Sequence, residues 1–140
     1  MKTCFTFFVT VLFLSCNQPS KKEQQFDQLM NEVIAVHDEV MPKMTDMSQL
    51  ISELKQKTDT TATGLAYGEA KDDLEASYDF MMEWMRDFSD KFPPEEVVTE
   101  KDEELFNKKL QMLEEEKVEV TLLKDQINTS IENAKALLGQ

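Results

Sequence analysis

The chain has 140 residues, with 28 acidic against 15 basic side chains and a formal net charge of -13. That balance repels phosphate backbones and anionic headgroups, so neither a nucleic-acid partner nor an electrostatic hold on a membrane surface is expected. Three glycines, abundant Glu, Lys, Gln, Leu and Met, and no sustained β-branched alternation point to an all-α domain.

Residues 1–15 carry one positive charge, Lys2, and then an apolar run of about eleven residues that ends at Leu14. A membrane-spanning helix needs about 20 apolar residues, so the run fits the apolar core of an export signal instead. Ser15-Cys16 follows. Lipoprotein processing needs a thiol to attack a diacylglycerol donor and a small side chain before the cut, and this pair supplies both. The segment resembles a lipobox, although Phe13 stands three residues before the cysteine where the pattern has Leu. Cys4 lies inside the segment to be removed, which leaves Cys16 alone in the mature chain and no internal disulfide. Each buried methylene contributes about 0.8 kcal/mol, so two or three palmitate-like chains on Cys16 would anchor the protein firmly. Asn17 in place of Asp favours the outer membrane. Ser20-Lys21-Lys22-Glu23 matches only part of a surface-display signal, which leaves the leaflet open. Residues 16–24 are expected to be the lipidated cysteine and a polar tether, and residues 25–140 the folded domain.

From Phe26 the seam runs Phe26, Met30, Val33, His37, Val40, Met44, Met47, Ile51 and Leu54, in steps of four and three. This heptad spacing predicts a helix over about 24–57. Pro42 cannot donate to the carbonyl of Asp38 and predicts a kink beside His37. After the Thr58-Asp59-Thr60-Thr61 stop, a second seam of Tyr67, Ala70, Leu74, Ser77, Met81, Trp84 and Phe88 predicts a helix over about 62–91. Tyr78, Met85 and Phe92 widen that seam, and Pro93-Pro94 closes the helix. Thr99, three residues before Asp102, looks like a capping box with Asp replacing Glu, and it opens a third helix over about 99–138. Its stripe takes in Leu105/Phe106, Leu110, Leu113, Val120, Leu123, Ile127, Ile131, Ala134 and Leu138. Lys117 and Lys124 interrupt a strict heptad there and leave a period nearer 3.6.

Three such helices are expected to fold back as an antiparallel up-down-up three-helix bundle of coiled-coil type. At about 1.5 Å per residue the first would be about 50 Å long and the third about 60 Å. The last turns of the third would then protrude or cover the Thr58–Gly68 connection.

His37, the only histidine, falls on the seam and is expected in the core. Pairing of the first two helices through a turn near residue 60 sets position 37 opposite about position 83. That brings His37, Met41 and Met44 level with Met81, Met82, Trp84 and Met85. Thioethers and one imidazole suit a soft ion such as Cu(I), with Trp84 lying over it. Packing accounts for the same residues more simply. Methionine fills the gaps around a kink, sulfur packs on an indole, and His37 needs only a hydrogen-bond partner such as Tyr78 or Glu83. The expectation is therefore no metal and no cofactor. Ile34 stands where a di-iron bundle would need Glu. No catalysis is expected either, since the mature chain has no thiol beyond the lipid site. Asp72-Asp73, Glu95-Glu96 and Glu114-Glu115-Glu116 fit solvated helix faces.

The stretches His37-Asp38-Glu39-Val40-Met41-Pro42-Lys43-Met44, Met81-Met82-Glu83-Trp84-Met85-Arg86-Asp87-Phe88 and Ile127-Asn128-Thr129-Ser130-Ile131-Glu132-Asn133-Ala134 carry a family resemblance. They are similar to small Bacteroidota lipoproteins labelled "viral A-type inclusion protein". That label reflects generic coiled-coil likeness and implies no viral function. The resemblance implies an exported lipoprotein with a helical bundle and adds no site residue. The functional expectation is an envelope lipoprotein that displays an acidic bundle, binds or scaffolds another envelope protein, and is held to the membrane through Cys16. The alternative is a Cu(I) or small-ligand carrier built on His37, the nearby methionines and Trp84.

Overall fold

The structure, a computed structural model, describes residues 19–140. The expected signal segment 1–15, Cys16 and the start of the expected tether lie outside the described residues. The first helix, α1 (Lys21–Val40), begins at a reciprocal cap. Ser20 Oγ accepts from the Glu23 N–H at 3.1 Å, and the Glu23 carboxylate accepts from the Ser20 N–H at 3.0 Å. Two of the four donors that a helix start leaves orphaned are thereby satisfied. Residues 21–24, expected in the tether, belong to the helix.

The helix is interrupted at Met41-Pro42, where the proline has no amide to donate, and resumes as α2 (Lys43–Lys57). Both residues keep right-handed helical dihedrals, φ -53° and ψ -41° at Met41 and φ -59° and ψ -27° at Pro42, so the chain bends without reversing. The Met41 N–H still donates to the His37 carbonyl at 3.0 Å. The next bond, from the Met44 N–H to the Met41 carbonyl at 3.2 Å, spans only three residues.

The long α3 (Ala62–Lys91) starts where Thr61 Oγ1 accepts from the Gly64 N–H at 3.0 Å. A Cβ on Gly64 would lie 1.9 Å from the Asp59 carboxylate, which itself accepts from the Thr61 N–H at 2.8 Å. The tight α2–α3 corner therefore requires glycine there. Beyond Phe92 the two prolines prevent continuation. The last helix, α4 (Glu103–Leu138), is capped by Asp102, which accepts from the Leu105 N–H at 3.0 Å. Thr99, expected to be the cap, instead accepts the Asp102 N–H through its carbonyl at 3.3 Å, in a turn outside the helix. The expected start at 99 is thus corrected to 103. Gly139, at φ 74°, ends α4 in the left-handed conformation that favours glycine.

All regular structure among the described residues is helical, and three helices pack together, with α1 and α2 forming one bent unit. Helix α4 touches α1, α2 and α3, and α2 also packs on α3. Phe26, Val33, Val40, Met47 and Leu54, each seven residues apart, are all buried. Facing them in the core are Ala70, Leu74, Ser77, Met81 and Trp84 of α3.

On α4 the period expectation is corrected. Its buried positions are Phe106, Lys109, Leu113, Glu116, Val120, Leu123, Ile127, Ser130 and Ala134, an unbroken three-four alternation, with Ile131 buried beside it. The heptad is strict, but three of its positions are polar. Lys117 and Lys124 stand off it and reach across to α1, where they donate to Glu32 at 2.5 Å and Glu39 at 2.8 Å.

The two shifted helix starts equalise the lengths, so residues 21–57 and the 36 residues of α4 each extend about 55 Å. The last turns of α4 lie beside α2 and α3 instead of protruding, with Gln140 donating to Glu53 at 2.9 Å. No described helix is long and apolar enough to cross a membrane.

Candidate functional site

Different bonds close the different seams. The α1–α4 seam is crossed by the Lys117–Glu32 and Lys124–Glu39 pairs. Lys43 of α2 donates to Asn128 of α4 at 2.5 Å. The α3–α4 seam holds Lys91 against the buried carboxylate of Glu116 at 2.5 Å. Glu32 and Glu39 are held below the ordinary carboxylate value, chiefly by hydrogen bonds from Lys117 and Lys124. The Lys91 ammonium is held above the ordinary lysine value, chiefly by its bond to Glu116.

Between α1 and α3, among the described residues, no hydrogen bond or ion pair crosses. Their direct ring contact is His37 on Trp84, with centroids 5.8 Å apart and planes 31° apart. The seam is open from that contact toward the start of α1. One concavity of about 290 Å³ is lined by Ile34, His37, Asp38, Trp84, Met85 and Phe88. A second, of about 330 Å³, takes in Phe26, Asp27, Met30 and Ile34 on one wall, with Phe88, Phe92 and the Pro93–Val98 turn on the other. Ile34 and Phe88 line both, so the two form one apolar groove. Its α3 wall is a ladder of rings, with Trp84–Phe88 centroids at 5.1 Å and Phe88–Phe92 at 5.0 Å. Such spacings suit offset aromatic packing.

The expected site residues divide around this groove. Cys16 lies outside the described residues. His37, expected in the core, sits at the groove edge with its side chain 25% exposed. Buried positions on α1 recur at exact sevens through Val33 and Val40, which leaves residue 37 on the flank. Its hydrogen-bond partner is Asp38, with Nδ1 and Oδ1 3.0 Å apart, and neither Tyr78 nor Glu83. Met85 shares the groove with His37. Met44 and Met81 are buried core residues, and Met41 is half-buried at the proline bend. Trp84 is buried, and its indole N–H has no acceptor among the described residues. Among the described residues no three histidine, cysteine or acidic side chains converge as a metal-binding group.

Ile34, Asp27 and the Phe88–Phe92 wall were not singled out as a site by sequence reasoning. The signal available was the surplus of aromatic residues beside the α3 seam. Family models, curated proteins and solved structures contain no significant match to this chain, so its functional interpretation rests on its own residues.

Proposed function

We propose that this chain is a lipid-anchored envelope protein whose up-down-up, coiled-coil-like bundle serves as a binding or scaffolding module. The binding role rests on the open α1–α3 seam, an apolar groove on a bundle whose α1–α4 and α3–α4 seams are crossed by ion pairs. The topology is supported by a constant offset. Glu32–Lys117, Glu39–Lys124 and Lys43–Asn128 are each 85 residues apart, as in two helices that run the same way. His37 beside Trp84 and Phe26 near Phe92 give the opposite progression for α3.

The anchor reading rests on Ser15-Cys16 after the apolar run. Its setting at the outer membrane and its likeness to small Bacteroidota lipoproteins belong to the same proposal. With α1 capped at Ser20, the link from Cys16 spans at most about 14 Å, so the bundle would stand against the membrane surface. The test is Cys16→Ser, which is expected to abolish acyl labelling and release the protein from the membrane fraction or leave it unprocessed. Unchanged membrane association of a correctly cleaved variant, with no acyl label on the parent, would reject the anchor.

The alternative reading, a Cu(I) or small-ligand carrier, draws on His37 and Met85 sharing a cavity with Trp84. A one-to-one quench of Trp84 by anaerobic Cu(I) that disappears in a folded His37→Leu variant would favour it over the scaffold.

A further inference from the structure

We infer that the α1–α3 groove is the docking site for a basic amphipathic helix, which would complete the bundle as a fourth strand. The inference names the partner class of the binding module proposed above and does not depend on the lipid anchor. The groove runs from Phe26 to His37, about 16 Å or three helical turns. Its α1 wall presents Phe26, Met30, Ile34 and His37, in steps of four, four and three that keep them on one helix face against which another helix can pack. Ile34 is 41% exposed despite being apolar and lining both halves.

Charge selects among helices. Among the described residues no lysine or arginine lines the groove, whereas lysines of the bundle itself cross the α1–α4 and α3–α4 seams. Asp27 and Asp38 stand along the α1 rim, and Asp27 has no ion pair among the described residues. An incoming helix with lysine or arginine flanking its apolar stripe would supply the same kind of cross-seam pair that α4 makes to Glu32 and Glu39. A second copy of this chain would bring the same acidic rim and a like net charge of -13. Like-charge juxtaposition opposes that docking.

The test titrates the purified protein with a tryptophan-free helical peptide of about 15 residues, with leucines spaced to fill three turns and lysines on both flanks. Trp84, the only tryptophan, reports occupancy by fluorescence. Saturable one-to-one binding that weakens as salt rises is expected, with a loss of about tenfold or more when the flanking lysines become glutamates. Ile34→Glu, at an exposed position, should weaken binding comparably without changing the circular dichroism, and Leu122→Glu on the outer face of α4 should leave it unchanged.

Equal binding of the acidic peptide, insensitivity to Ile34→Glu, or no binding to the folded protein would overturn the inference. So would a fatty acid that binds the groove when the peptide does not, since an acyl chain would then be the occupant. Photo-crosslinkers at positions 34 and 122 in cells separate the two levels. A partner caught at 122 but never at 34 overturns the groove and leaves the binding module standing, whereas none at either position overturns both.

Discussion

Replacing Lys91 is expected to harm the protein far more than replacing the residue it pairs with. Glu116 is 2% exposed, and among the described residues only one of its carboxylate oxygens has a hydrogen-bond partner, the Lys91 ammonium at 2.5 Å. Lys91→Met would strand a buried carboxylate. Breaking such a pair costs roughly 3–5 kcal/mol, and the lower figure applies here because Lys91 is 37% exposed and its end is already wetted. Glu116→Leu is different, since Lys91 can turn into solvent. A buried leucine at that heptad position contributes about 2 kcal/mol, against about 1 kcal/mol for the half-open pair it removes. The single variants should therefore be about 3 kcal/mol less stable and about 1 kcal/mol more stable than the parent. Once Glu116 is gone, Lys91→Met should cost nothing further, so the double variant departs from additivity by about 3 kcal/mol. Urea unfolding followed by far-ultraviolet circular dichroism measures all four proteins. The Lys91 pKa is raised, so the pair's contribution is complete below the ordinary lysine value of 10.5 and is lost only as pH climbs through the higher folded-state value. Working near neutrality keeps it constant. Additive effects, or Glu116→Leu as the more damaging single change, would refute the reasoning.

Leu113→Ala and Ile127→Ala, both at fully buried positions, should each cost about 2–5 kcal/mol in the same assay, and Glu115→Ala on the exposed face should stay within about 0.5 kcal/mol. Glu32 and Glu39 have lowered pKa values, so what their pairs add is complete above the ordinary value of 4.5 and disappears as pH falls through the depressed ones. Lys117→Gln/Lys124→Gln should therefore lose stability at pH 7 and differ less from the parent at pH 3, as thermal melts at the two pH values would show. Trp84→Phe should cost only about 1 kcal/mol, because it removes an indole N–H with no acceptor among the described residues, against about 4 kcal/mol for Trp84→Ala. Comparable melting points for the two Trp84 variants would contradict that account.

The helical class and the course of the seams were legible because the four-three spacing of apolar residues survives translation into burial almost position by position on α1, α2 and α3. Two helix ends were misplaced for a common reason, that cap chemistry is reciprocal and local. Ser20-Lys21-Lys22-Glu23 held a complete capping box, but its lysines and acid also resemble a sorting signal. Thr99 and Asp102 satisfied the spacing of a box, yet Asp102 alone does the capping. The groove was harder to see. Periodicity reports which face of a helix is apolar, and it does not report whether the neighbouring helix comes close enough to cover that face. Met85 and Phe92 look like ordinary seam-widening residues until α1 and α3 are seen to stand apart from the His37–Trp84 contact toward the start of α1.

The polar residues that disguised the α4 heptad also define its alignment. A heptad seam packs nearly as well after a slip of seven residues, so apolar contacts alone discriminate poorly between registers. In the observed register Glu116 meets Lys91, while Lys109 meets the Lys91 carbonyl at 2.5 Å and the Glu96 carboxylate. Sliding α4 one way puts Lys109 against Lys91 and Asp102 against Glu96. Sliding it the other way puts Glu116 against Glu96 and leaves Lys91 facing Leu123. Either slip therefore sets like charges together in a poorly hydrated seam, where that costs several kcal/mol. Lys109→Met/Glu116→Leu removes this discrimination while keeping the seam apolar. The variant is expected to unfold at a urea concentration no lower than the parent, yet to show faster amide exchange along α4 and additional resonances from slipped registers. A single set of resonances with unchanged exchange protection would mean that the 93–102 connection and the Ser77–Gln126 contact hold the register without them.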